Sequence, residues 1–151
     1  MTDFLTQSKA VVMQHFEALN NQSYEDLDEV HDHGGRNHAH GAFDLSEWPD
    51  EGVPFGPDEV RGTFEWLRGG FSDLRVEVED LIAEGDKVVA RIRMTGTHDG
   101  EFVGLQPTGR TWNYEHIHIF RLAEGKILEH WAVREDLKAM IQLGVVSAPG
   151  P

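Results

Sequence analysis

From Leu74 onward the chain takes up a period of two, and this change of period limits its fold more than any other feature. Leu74-Arg75-Val76-Glu77-Val78-Glu79 alternates apolar and charged residues, the turn Glu84-Gly85-Asp86 reverses the chain, and Lys87 to Thr97 runs back. Two more strands, about Thr111 to Leu122 and Lys126 to Val133, are joined by the turn Ala123-Glu124-Gly125, and Asp99-Gly100 adds a tight-turn signal. Alternation places one face of each strand in a core and the other in water. Such a meander needs a cover on its apolar side.

The first half supplies that cover. Between Asp3 and Asn20, Phe4, Leu5, Val12, Met13, Phe16 and Leu19 recur at near-helical spacing, with Asp3 placed as cap. Ser23, Glu25 and Asp26 start a shorter helix to about Val30, Gly34-Gly35 breaks the chain, and a short polar strand is expected from Arg36 to Phe43. Leu45 to Gly56 reads as a loop that rims a pocket. Pro57, Asp58 and Glu59 open a third helix whose buried stripe is Val60, Phe64 and Leu67, with Trp66 beside it. A last helix is expected from near Glu135 to Leu143. The fold class is therefore α+β: one domain over 1–151, with frayed tails at 1–3 and 146–151, and a curved antiparallel sheet wrapped around the long first helix. The inside of such a cone is a natural small-molecule cavity.

Charge and composition remove whole classes of function. A net charge of −14 opposes nucleic acid and anionic membranes, which call for a basic surface. No stretch approaches the roughly 20 apolar residues of a membrane span, and a cytoplasmic location is expected. With 0 cysteines there is no disulfide framework and no thiolate chemistry. Gly-x-Ser-x-Gly, Gly-Lys-Ser/Thr and Gly-x-Gly-x-x-Gly motifs do not occur.

The chemistry-bearing residues lie in the strand Trp112 to Arg121. Alternation puts Trp112, Tyr114, His116, His118 and Phe120 on one face. If the following turn pairs Leu122 with Lys126, His118 stands opposite His130 and His116 opposite Ala132, so the three histidines face one cavity. Imidazoles titrating near neutrality can take and return a proton, which suits enolisation, aldol chemistry or hydrolysis. The same histidines could instead be hydrogen-bonded groups of a half-wet core, or metal ligands with a carboxylate as the fourth. Asp136 is read first as the opening of the last helix, with a catalytic carboxylate as its other reading. Trp112, Tyr114 and Phe120 are the expected apolar walls, with Trp66 and Trp131 as further substrate-binding candidates; His38 and His40 share a face that could line the pocket mouth, His31 and His33 are weakly specific, and His98 is expected to be exposed.

The run from Gly96 to Trp112, Ile119-Phe120-Arg121, Gly125 to Trp131, Asp136-Leu137 and Gln142-Leu143-Gly144 resemble the SnoaL-like polyketide cyclases, also called ester cyclases. The resemblance implies the nuclear-transport-factor-two-like cone fold, a homodimer through the outer sheet face, and ring closure of an aromatic polyketide ester by intramolecular aldol condensation without cofactor or metal. It implies pocket roles for His118 and His130, with His116 at a further pocket-facing position. The family's principal acid/base, an Asp directly after the His-Trp pair, is Ala132 here. A cofactor-free enzyme on a small apolar carbonyl substrate is the leading expectation, and a non-catalytic binding protein of the same fold is the alternative. Relatives with other activities leave the reaction open.

Overall fold

Asp3 sets the start of the first helix, α1 (Phe4–Asn21), by accepting from Thr6 N at 2.8 Å. The computed structural model describes residues 3–41 and 44–150. Val12, Phe16 and Leu19 form the buried stripe of α1, while Phe4 and Leu5 are exposed. A 3-10 turn (Tyr24–Asp26) and α2 (Leu27–Val30) lead into β1 (His31–Asn37). After β2 (Val53–Pro54), α3 (Pro57–Gly70) begins with Pro57 in its first turn and carries Arg68 in its last, whose guanidinium donates to Leu19 O at 2.7 Å and Leu74 O at 3.0 Å. That one side chain ties the ends of both covering helices to the sheet.

The remaining elements are β3 (Arg75–Glu84), β4 (Lys87–Thr97), β5 (Thr111–Ala123), β6 (Lys126–Arg134) and α4 (Asp136–Gln142). The sheet has six strands in the order β2-β1-β6-β5-β4-β3, with β1 parallel to β6 and every other pair antiparallel. Val76, Val88, Ala90, Ile92, Met94, Trp112, Tyr114 and Phe120 are buried on its inner face against α1 and α3. On the outer face Arg91 and Arg93 bridge Glu79 and Glu115 at 2.6 to 3.0 Å.

Five local expectations change. The strand expected at Arg36–Phe43 begins at His31 and ends at Asn37; Phe43 lies outside the described residues. Gly35 does not break it, because a Cβ there would lie 2.6 Å from Phe55 O, and glycine is what lets the chain carrying β2 come so close. Asp99-Gly100 is not a hairpin turn but packs on the end of α3, where a Cβ on Gly100 would meet Gly69 O at 1.9 Å. His98 beside it is fully buried, stacked on Phe71 at 5.4 Å with Nδ1 3.0 Å from Thr108 Oγ1. The β5–β6 register also differs: Glu124 and Gly125, both at positive φ, make a two-residue turn, and Leu128 is an extra residue in β6. His118 therefore pairs with Ala132, and His130 with Phe120.

Candidate active site

The bulge at Leu128 keeps the three histidines on one face despite the changed register. His118 Nδ1 reaches diagonally to His130 Nε2 at 2.7 Å, and His116 Nδ1 lies 3.1 Å from His118 Nε2. His130 is held between Phe55 and Phe120, with ring centroids 4.7 and 5.0 Å away. Its Nδ1 lies 2.8 Å from Asn37 Oδ1, at the end of β1.

The proton positions in this chain follow from one peptide group. Asn37 Oδ1 accepts from Ala39 N at 2.9 Å, which fixes it as the oxygen of the amide, so His130 Nδ1 is the donor to it. A neutral His130 then offers only a lone pair at Nε2, and His118 Nδ1–H donates there. By the same logic His116 Nδ1–H donates to His118 Nε2. His116 Nε2 is left as a bare lone pair, buried and without a partner among the described residues. The relay runs Asn37, His130, His118, His116, with every ring protonated at Nδ1.

Burial keeps the rings neutral. It lowers His118 to about 3, and lowers His116 to about 2 with the fields of His118 and Arg134 added. His130 is also held well below the usual imidazole range, chiefly by burial. Titration near neutrality, expected from the sequence, does not survive this desolvation. The ring nitrogens are spent on one another, so their lone pairs do not converge on a point as metal ligands would.

These rings line a cavity of about 640 Å³ between the inner sheet face, α1, α3 and the segment that carries Trp48. Most of its wall is apolar, including Phe16, Leu19, Val60, Phe64, Ile92 and Met94. Trp112 and Tyr114 line it, and burial and then Asp136 push the Tyr114 hydroxyl upward. Asp136, first residue of α4, lines it too and holds Arg134 at 3.2 Å. Trp66 stands half-exposed at the rim against Phe102, with ring centroids 4.7 Å apart.

Phe120 is fully buried beneath His118 and His130 and supports them without lining the cavity. His38 and Trp131 stack on one another at 5.0 Å, with His38 also on Glu129 at 2.9 Å, and neither lines the cavity. His40 is exposed and stacks on Trp48, a wall residue, at 4.0 Å. Among the cavity residues that escaped sequence reading are His15, Asn37, Trp48 and Arg134. His15 occupies a helical position on the Val12–Phe16–Leu19 stripe and could have been found from it. Asn37 could not, because it reaches His130 only through the parallel β1–β6 pairing.

The model of the SnoaL-like polyketide cyclases matches residues 10–143. The chain belongs to that family. Among curated SnoaL-like relatives, the aklanonic acid methyl ester cyclase of Streptomyces peucetius is 34% identical over 91 residues, 59% of this chain and 62% of its own length. The nogalonic acid methyl ester cyclase of Streptomyces nogalater is 33% identical over 82 residues, 54% of this chain and 61% of its own. The matches thus span about six tenths of those relatives' length. Among solved structures, wild-type IdmH of Streptomyces antibioticus superposes with a TM-score of 0.78 at 30% identity, covering 91% of this chain and 99% of that one. A SnoaL-like protein of Jannaschia sp. CCS1 gives 0.79 at 27% identity, covering 99% and 98%. The α+β cone fold of this SnoaL-like chain agrees with both.

Proposed function

We propose that this SnoaL-like chain is a cofactor-free ring-closing enzyme that acts by acid/base chemistry on a small, largely apolar carbonyl compound, a polyketide-like ester. The observation that carries the reading is the histidine relay ending in the bare His116 Nε2 beside an apolar cavity. His116 Nε2 takes a proton from carbon, the carbanion attacks a carbonyl carbon of the same molecule, and the alkoxide so formed takes the proton back. Atoms and charge balance within one substrate. A base as weak as His116 needs an acidic carbon, such as one between two carbonyls, and the enolate then stabilises the imidazolium by its own charge.

His118 and His130 hold the tautomer of His116 and spread its positive charge toward Asn37. Ala132, directly across from His118, puts a methyl where the resemblance expects a carboxylate, so the imidazoles carry the proton. Asp136, with Arg134, faces the same cavity and is the nearest substitute carboxylate in this reading. The walls proposed for the substrate are Trp66, Trp112 and Tyr114, with His40 behind Trp48 at the mouth. We further propose a cytoplasmic homodimer through the outer sheet face, where the cross-strand pair Ile117 and Val133 is 48% and 78% exposed.

Ala132 also favours a second reading, a non-catalytic binding protein with the same pocket. Aklanonic and nogalonic acid methyl esters, the compounds named for the relatives, distinguish the two. Ring closure leaves mass unchanged and moves retention and absorbance. Turnover that falls about 100-fold or more in His116→Ala, with binding retained, supports the enzyme. Tight binding without turnover supports the binder, and full activity in both His116→Ala and His118→Ala rejects the relay.

A further inference from the structure

A second pair of imidazoles stands in the cavity region outside the relay. His15 Nδ1 on α1 lies 2.8 Å from His31 Nε2 at the start of β1. Phe64 and Phe120 hold the His15 ring, at 5.2 and 5.1 Å, and Phe55 holds His31 at 5.2 Å. One proton lies between the paired nitrogens, and the far side of His31 decides its owner. His31 Nδ1 is buried with no partner among the described residues. A buried N–H without an acceptor is rarer in proteins than a buried acceptor without a donor. Nδ1 is therefore bare, and Nε2 of neutral His31 carries the proton and donates it to His15 Nδ1.

His15 is neutral as well, held there by burial. With Nδ1 accepting, its own proton sits on Nε2, which has no partner among the described residues, on a ring that lines the cavity. The two imidazole groups thus end in opposite polarity: the relay in a lone pair, the pair in an N–H.

We propose that His15 Nε2–H is the cavity's carbonyl-binding donor, holding a substrate carbonyl oxygen and the oxyanion that develops on it, with His31 as the positioning residue that fixes its tautomer. The donor stands on the geometry of the pair; its use in ring closure rests on the reading proposed above. As His116 removes the carbon proton, the electron pair moves into the adjacent carbonyl, and the oxygen gains negative charge against His15 Nε2–H. When the new carbon–carbon bond forms, the pair returns and the carbonyl is restored. A fixed donor gains strength as that charge builds, which is where a hydrogen bond accelerates a reaction.

Long-range ¹H–¹⁵N spectra of the ligand-free protein test the donor without turnover. His15 is expected protonated at Nε2 and bare at Nδ1, a mixture appearing in a folded His31→Phe variant; a His15 protonated at Nδ1 in the unaltered protein overturns the proposal. 2-Acetylnaphthalene labelled with ¹³C at its carbonyl tests the site. Its resonance is expected to move downfield on binding to the unaltered protein and to His116→Ala, and not with His15→Phe. A shift that persists in His15→Phe, or no shift with any form, overturns it. With the methyl esters, His15→Phe is expected to lower kcat about 100- to 1000-fold, with His15→Gln partly restoring it. If the esters are not turned over, the ring-closing reading fails while the carbonyl shift still decides the donor.

Discussion

Five neutral imidazoles packed inside one domain make its stability depend steeply on pH. His15, His31, His116, His118 and His130 are all buried and all held below the usual imidazole range, chiefly by burial, His31 and His118 at about 3 and His116 at about 2. Their folded pKa values are depressed, so below about pH 6.5 the unfolded chain binds protons that the folded chain refuses, and stability falls as pH falls. Each ring costs about 2 kcal/mol between pH 7 and pH 5. Independent rings would together remove about 10 kcal/mol, the size of a whole domain's stability. The lowered carboxylates, such as Glu79 beneath Arg93 and Asp99 under Ser72, act only at lower pH, as they approach protonation. Relief of self-repulsion at a net charge of −14 opposes the loss, but exposed charges are screened within about 8 Å at physiological salt. Urea titrations followed by tryptophan fluorescence at pH 7, 6 and 5 read the effect directly. The midpoint is expected to fall steadily, and by one ring's share less in His118→Gln. Equal midpoints at pH 7 and pH 5 would refute the assignment of neutral buried rings.

Asn37→Ala removes the oxygen that accepts from both His130 and Ala39, leaving a buried N–H without a partner. It should lose about 1 to 3 kcal/mol in urea unfolding and scramble the His130 tautomer in ¹⁵N spectra; an unchanged spectrum would detach Asn37 from the relay. Gly100→Ala places a methyl in the space of Gly69 O and should lower Tm by several degrees, with an unchanged Tm showing that the loop can move away. Trp66→Ala, at a half-exposed rim position, should weaken ester binding with little change in Tm. A markedly lower Tm with unchanged ester binding would assign Trp66 to the core instead.

The elements were legible where period and capping were strong. Asp3, Pro57, the β3–β4 hairpin and the β5 face all lie where the pattern puts them, because amphipathic periods report which side of an element is buried. The convergence of His116, His118 and His130 was legible for the same reason, since alternation fixes a face even when register is misread by two residues. The Leu128 bulge was not, because nothing local marks an extra residue in β6. Nor was the role of Gly35 and Gly100, whose missing Cβ atoms answer to chains distant in sequence. The polar ends of the site, Asn37 and His31, depend on the same non-local packing through β1.

The base itself is tested by exchange at carbon. With aklanonic acid methyl ester in D₂O, mass spectrometry counts deuterium entering the ester or its ring-closed product. The unaltered protein is expected to accelerate that entry, His116→Ala to lose the acceleration, and His38→Ala, outside the cavity, to keep it. Deuterium entering equally fast with His116→Ala would contradict a proton relay that ends at His116.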